Sequence, residues 1–150
     1  MKRKHNIVNS LSLVPEQLEQ LNMARFERYA LVKQNETMYE EYMMDDAEIA
    51  IAAFGIAARV SKNAINEARK RGIKVGLIRP ITLWPFPDAP FKKAATHVKQ
   101  FISVELNMGQ MIEDVRLASE CKVPVTLCNR VGGMIPSPEQ VLDAILEANK

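Results

Sequence analysis

The side chains with the clearest potential for chemistry are a carboxylate and a guanidinium, each placed where a short apolar run ends. Glu105 follows the run 101–104 (FISV), and Arg79 follows the run 73–78 (IKVGLI). A carboxylate at a strand end can act as a general acid or base, and it can equally cap the next helix. Gln110 can hydrogen-bond the backbone at the same junction. Arg79 can bind an anion or simply pack locally, and the sequence leaves each of these alternatives open.

A proline-rich segment begins at Arg79. Residues 79–87 read RPITLWPFP, and the three prolines, which fix φ, predict a stiff loop. The loop carries Trp84 and Phe86, whose residue types are enriched at interface hot spots. These two side chains therefore indicate either a contact surface or local core packing. Gly132 and Gly133 predict a second, flexible loop.

Motifs for common catalytic and cofactor sites are absent. The run from Gly55 reads GIAARV and lacks the GxGxxG pattern, and neither a P-loop nor a GxSxG motif occurs. The two histidines, His5 and His97, lie in a terminal tail and a predicted surface helix. The two cysteines, Cys121 and Cys128, form no CxxC pair, whereas an iron–sulfur cluster usually needs four thiolates. The sequence therefore predicts no catalytic, cofactor-binding or metal-binding residue in this chain.

Alternating strand and helix patterns occupy the chain from Asp45 onward. Apolar runs predict strands at 49–54, 73–78, 101–104 and 125–128, and periodic patterns predict helices at 57–71, 88–98, 110–121 and from Pro138, with Ser137 as N-cap. Such alternation predicts an α/β fold with a mainly parallel sheet. Ligands of open α/β sheets lie beyond the carboxyl ends of the strands, here the segments 55–58, 79–87, 105–110 and 129–135.

The first 44 residues form a different region. A helix is predicted from Pro15 to about Gln34, and its apolar stripe needs a covering partner. The stripe comprises Val14, Leu18, Leu21, Arg25, Tyr29 and Val32. Residues 37–43 are either a frayed end of this helix or a short extended segment. We therefore expect an arm over residues 1–44 and an α/β domain over residues 45–150.

Composition limits the classes of partner. A net charge of +2 over 150 residues, with its only basic cluster at the terminus, disfavours nucleic acid as a partner. No apolar run approaches the roughly 20 residues that span a bilayer, so no membrane association is expected. A soluble, cytoplasmic location fits the two unpaired cysteines.

Three motifs together resemble a known family. Residues 79–87 (RPITLWPFP), 104–111 (VELNMGQM) and 130–133 (RVGG) are similar to the C-terminal part of the alpha subunit of 2-oxoacid:ferredoxin oxidoreductases, most of all the branched-chain 2-ketoisovalerate type. The resemblance covers nearly the whole chain. It implies a fold similar to the transketolase C-terminal domain, a three-layer α/β/α sandwich on a five-stranded mixed sheet with one antiparallel strand. Residues 37–43 are then the candidate for the fifth strand.

The resemblance also implies a reaction. Enzymes of this family oxidatively decarboxylate a 2-oxoacid to an acyl-CoA and reduce ferredoxin, using thiamine diphosphate, Mg²⁺, iron–sulfur clusters and CoA. The pyrimidine-binding domain that precedes this region in the family has no counterpart here, so the chain resembles a fragment that is inactive alone. Other subunits, and ferredoxin through the complex, are the implied partners, and a homodimer of the fragment is possible. The alternative function is a small-molecule or nucleotide-binding module that uses the loops at the strand ends.

Overall fold

The computed structural model describes residues 11–150, so His5 and the basic cluster at the terminus lie outside the described residues. It divides the chain into two compact units, Met1–Asn35 and Glu36–Lys150. Helix α1, Pro15–Glu36, lies in the first unit except for its last residue. Its start agrees with the prediction, and its residues are all at least partly exposed. The division expected at residue 44 stays a prediction.

The second unit contains a five-stranded sheet in the order β1-β3-β2-β4-β5. The strands are β1 (Tyr39–Tyr42), β2 (Ile49–Ala52), β3 (Val75–Pro80), β4 (Gln100–Glu105) and β5 (Val125–Asn129). β1 runs antiparallel to β3, and the remaining pairs are parallel. The expected mixed sheet is confirmed, and residues 39–42 supply its fifth strand.

Helices cover both faces of this sheet. They are α2 (Gly55–Lys70), α3 (Asp88–Ala94), α4 (Met111–Ala118) and α5 (Pro138–Ala148). Alternate strand residues point to opposite faces. Ile49 and Ile51 of β2 therefore join a core cluster with α2 and α5, while Ala50 and Ala52 join a second cluster with α3 and α4. This is the three-layer sandwich that the resemblance implied.

The helix ends follow the local sequence. Ser137 caps α5, since its side chain accepts from the N–H of Gln140 and the Gln140 side chain accepts from the N–H of Ser137. Gly72, at φ +80°, follows the end of α2, where a left-handed residue favours glycine. The predicted start of α2 at residue 57 was two residues late, because Gly55, at φ +56°, already begins the helix.

Two predicted boundaries were wrong, and the first has a tertiary reason. Arg79 and Pro80 belong to β3 rather than to a loop, because β1 lies alongside them with Glu40 opposite Arg79. β2 pairs with β3 only as far as Ile78, so the added antiparallel strand is what extends β3. The helix predicted over 88–98 ends at Ala94, which places the exposed His97 beyond it. Within residues 11–150, no helix combines the length and the apolar character needed to cross a membrane.

Candidate functional site

Glu105 lies at the carboxyl end of β4 and caps helix α4. Its side chain is buried, with the residue only 1% exposed. Oε2 accepts hydrogen bonds from the backbone N–H groups of Gln110 and Met111, each at 2.9 Å. Oε1 accepts from the N–H of Ile112 at 2.9 Å and from Ser103 Oγ at 2.8 Å. Of the two roles that the sequence left open, the structure shows the capping role.

The charge state of Glu105 follows from these contacts. Burial acts to raise the pKa of this carboxyl, but hydrogen bonds from Gln110, Ser103, Met111 and Ile112 outweigh it and hold the pKa below the usual range. Glu105 is therefore ionised at neutral pH, with both oxygens engaged. A carboxylate held in this way anchors a helix and is poorly suited to proton transfer.

Two asparagines connect the ends of β4 and β5. Asn129 Nδ2 donates to the carbonyl oxygen of Asn107 at 2.6 Å, and Asn107 Oδ1 accepts from the N–H of Gly109 at 2.7 Å. Sequence reasoning missed both asparagines and Ser103. An asparagine two residues before a glycine after a strand is a turn signal that could have identified Asn107.

The other candidate residues at this end of the sheet are Gln110, Gly132 and Gly133. Gln110 is exposed, and it contributes its backbone N–H to Glu105. Gly132 and Gly133 form an exposed turn after β5 at φ +65° and +84°, a region of backbone conformation that favours glycine. This turn is closed by a hydrogen bond from the N–H of Met134 to the carbonyl oxygen of Val131.

Arg79 belongs to an ion-pair cluster at β3, on the opposite side of β2 from Glu105. Its Nη1 is 2.9 Å from Glu40 Oε2, and Lys62 Nζ is 2.5 Å from Glu40 Oε1. The hydrogen bond from Lys62, followed by that from Arg79, holds the pKa of Glu40 below its usual range. A cavity of about 270 Å³ adjoins the cluster, and Gly55, Ala58, Arg59, Lys62 and Arg79 line it. Since β2 separates β3 from β4 in the sheet, the candidate residues Arg79 and Glu105 do not share one site.

The two aromatic candidates of the proline-rich loop have different environments. Phe86 stacks on Phe91 at a ring-centroid distance of 5.2 Å, and Phe91 in turn contacts Phe101 at 5.8 Å. Trp84 is 56% exposed, and Leu83 beside it is 48% exposed. Phe86 therefore packs against the core, while Trp84 lies at the surface.

Within residues 11–150, the side chains do not assemble a donor set for the metal groups that the resemblance implies. Across residues 11–150, no group of three or more potential metal-ligating side chains occurs. Cys121 and Cys128 are both unpaired, and burial raises the pKa of the Cys128 thiol. With two cysteines in all, the chain cannot supply the four thiolates of a typical iron–sulfur cluster. We therefore assign no step on these cofactors to its residues.

Sequence comparison places this fold in a family. Residues 47–141, from just before β2 into the first turn of α5, match the family described as pyruvate:ferredoxin oxidoreductase core domain II. The chain belongs to this family. The match spans the sheet from β2 to β5, together with the Glu105 cap and the whole proline-rich segment, so the resemblance inferred from the motifs is confirmed.

Curated relatives of this core domain II chain are oxidoreductase subunits. The chain is 47% identical to ketoisovalerate oxidoreductase subunit VorB of Methanothermobacter thermautotrophicus over 95% of its own length. It is 32% identical to 2-oxoglutarate synthase subunit KorA of the same organism over 74% of its length. These matches cover 40% and 30% of the two relatives, so the chain spans less than half of either.

Solved structures share the core domain II fold at low sequence identity. The 2-oxoglutarate:ferredoxin oxidoreductase of Magnetococcus marinus matches with a TM-score of 0.75 at 20% identity, covering 93% of this chain and 24% of that one. A split-gene transketolase matches with a TM-score of 0.64 at 15% identity, covering 74% of this chain and 41% of that one. The transketolase-like fold is thereby confirmed.

Proposed function

We propose that this chain is a structural and subunit-contact domain of a thiamine-diphosphate-dependent 2-oxoacid:ferredoxin oxidoreductase. The whole enzyme would oxidatively decarboxylate a branched-chain 2-oxoacid to its acyl-CoA and reduce ferredoxin. The observation that carries the proposal is the 47% identity to a ketoisovalerate oxidoreductase subunit over 95% of the chain. The lower identity to the 2-oxoglutarate synthase subunit, 32% over 74% of the chain, favours the branched-chain substrate.

The contacts of the candidate residues support a structural role. The carboxylate best placed for acid–base chemistry, Glu105, is committed to the α4 cap. The cofactor carries the difficult chemistry in enzymes of this kind. Thiamine diphosphate, Mg²⁺, the iron–sulfur clusters and CoA would then be held by other parts of the enzyme, and this chain would help to position them.

The exposed end of the proline-rich segment is the contact surface that we favour. It presents Ile81, Leu83 and Trp84, each about half exposed. The backbone of this segment is held in place, because the N–H groups of Ile81 and Thr82 donate to the carbonyl oxygen of Met38. A rigid apolar surface loses little conformational entropy on binding, which favours association with another subunit.

Purification of the tagged chain at native expression level from its host tests the assembly. We expect mass spectrometry to identify further oxidoreductase subunits, and the preparation to reduce a viologen dye with 2-oxoisovalerate and CoA faster than with pyruvate or 2-oxoglutarate. The chain alone is expected to be inactive and not to bind thiamine diphosphate. Recovery of the chain only as a homodimer without such subunits, or micromolar binding of thiamine diphosphate to the chain by calorimetry, would contradict the proposal.

Trp84→Ala tests the contact surface. Large aromatic anchors carry much of the binding energy of an interface, so we expect about a tenfold weaker association with the purified partner subunits, measured by surface plasmon resonance. Leu117→Ala is the matched control, because Leu117 is an exposed apolar residue of α4, 77% exposed. An equal loss of affinity in both variants would point to general loss of apolar area and would exclude the loop as the specific contact.

A further inference from the structure

One stripe of helix α2 borders the cavity beside Arg79. Residues 55, 58, 59 and 62 all line it, and their spacing of three and four places them on one helix face. Gly55 and Ala58 are small and leave the space open, whereas Arg59 and Lys62 carry charge to its rim. Arg79 closes the cavity from β3, so three of its five lining residues are cationic.

The charges around the cavity do not cancel. Glu40 of β1 pairs with both Lys62 and Arg79, at 2.5 and 2.9 Å, and so holds these two cations in place. Arg59 is exposed and forms no ion pair or side-chain hydrogen bond within residues 11–150. Three positive charges against one carboxylate leave a net charge of +2. A recess lined by charges of one sign attracts anions.

The backbone adds to the same field. α2 has no acidic residue in its first turn, and its N-cap residue, Phe54, offers no side-chain acceptor. No heavy atom lies within 4 Å of the Cβ position at Gly55, so no side chain covers the start of the helix there. Of the two first-turn residues that line the cavity, Ala58 already donates its N–H to the carbonyl oxygen of Phe54. The N–H of Gly55 can therefore donate to an anion held by the cations.

We propose that this cavity binds a phosphate group. A phosphate dianion carries two negative charges, which match the net charge of the recess, and its oxygens can accept from Arg59, Lys62 and Arg79 together. A volume of about 270 Å³ is just below the usual range for drug-sized ligands, so the cavity takes the phosphate end of a molecule and leaves the remainder outside. The phosphate belongs to a small molecule, as free phosphate or as a phosphate ester.

Titration of the isotope-labelled chain with inorganic phosphate, and separately with a nucleoside diphosphate, tests the site by NMR. At pH 8 and 150 mM KCl we expect saturable shifts of the backbone amide signals of residues 55–58, with a millimolar dissociation constant for inorganic phosphate. Tenfold tighter binding of the nucleoside diphosphate would identify an ester as the ligand, and equal binding would identify free phosphate. Shifts that do not saturate, or that are spread over all basic surfaces, would overturn the proposal.

Two variants distinguish a specific phosphate site from a general attraction of phosphate to positive charge. Arg59→Gln is expected to weaken phosphate binding at least fivefold, with thermal unfolding unchanged, because Arg59 is exposed and has no side-chain partner in the described part of the chain. Arg116→Gln, on α4 and paired with Glu113, is the matched control and is expected to bind as the wild type does. Wild-type affinity in Arg59→Gln, or an equal loss in both variants, would overturn the site. The readout is independent of subunit assembly, so its failure would leave the proposed function unaffected.

Discussion

Replacement of Glu105 by glutamine is expected to lower the free energy of unfolding by about 3 kcal/mol. The buried carboxylate accepts hydrogen bonds from three backbone N–H groups at the start of α4, one of them from its N-cap residue, and from the hydroxyl of Ser103. Glutamine removes the negative charge at the positive end of the helix and turns an N–H₂ donor toward other donors, which leaves buried groups unpaired. Urea denaturation followed by circular dichroism measures the difference.

Gln110→Ala is the matched control for this prediction. Gln110 is exposed and gives Glu105 only its backbone N–H, which alanine retains, so its effect should remain within about 0.5 kcal/mol. If both variants lose the same stability, the cap is not the source of the effect.

Loss of the cap in Glu105→Gln is also expected to release the turn that holds Gly109 and Asn107, visible as faster exchange of the Gly109 amide hydrogen.

The stability difference between the wild type and Glu105→Gln is expected to depend on pH. The native pKa of Glu105 lies below its usual range, so the charged form is favoured by folding. The stability that ionised Glu105 contributes to the fold is fully present above the unfolded pKa of about 4.3, and it is lost as the pH falls through the native pKa. The stability difference between wild type and Glu105→Gln should therefore be largest near neutrality and shrink below about pH 4. A difference that grows on acidification would contradict the ionised cap.

The second large effect is expected at Gly76, a buried residue near the start of β3. A Cβ atom at this position would lie 2.6 Å from the carbonyl oxygen of Met43 and 2.6 Å from Met44 Sδ. The Met43 backbone is restrained, because its oxygen also accepts from Arg69 Nη2 at 2.7 Å and Arg69 pairs with Asp46 at 2.7 Å. Gly76→Ala should therefore force a shift in the segment that joins β1 to β2 and destabilise the fold by about 2–3 kcal/mol, measured by urea denaturation.

Gly133→Ala separates this steric effect from backbone strain. Gly133 lies at φ +84°, and no heavy atom stands within 4 Å of its Cβ position. Only the cost of a left-handed alanine, about 1 kcal/mol, is expected there. A loss at Gly76 no larger than the loss at Gly133 would show that the β1–β2 connection accommodates a methyl group freely.

The sequence by itself determined the features that depend on local pattern. Continuous apolar runs predicted β2, β4 and β5 within two residues at each end. β2 and β4 are strands covered on both faces, which explains their apolar runs, whereas β5 lies at the sheet edge and its residues are half-buried or exposed. Ser137 followed by Pro138 predicted the start of α5 correctly, since capping depends on a few adjacent residues. The motif in residues 79–87, with those in 104–111 and 130–133, was enough to indicate the family that the comparison then showed.

Only the tertiary structure decided the features that depend on pairing between distant segments. Residues 37–43 carry no clear period, and they contain a strand because β3 offers its free edge to residues 39–42. The same pairing turned Arg79 from a presumed loop residue into a strand residue and brought Glu40 to it and to Lys62, which created the cationic cavity. Glu105 was ambiguous in sequence because acid–base catalysis and capping need the same residue at the same place. The arrangement of three N–H groups around the two carboxylate oxygens of Glu105 distinguishes the capping role from acid–base catalysis.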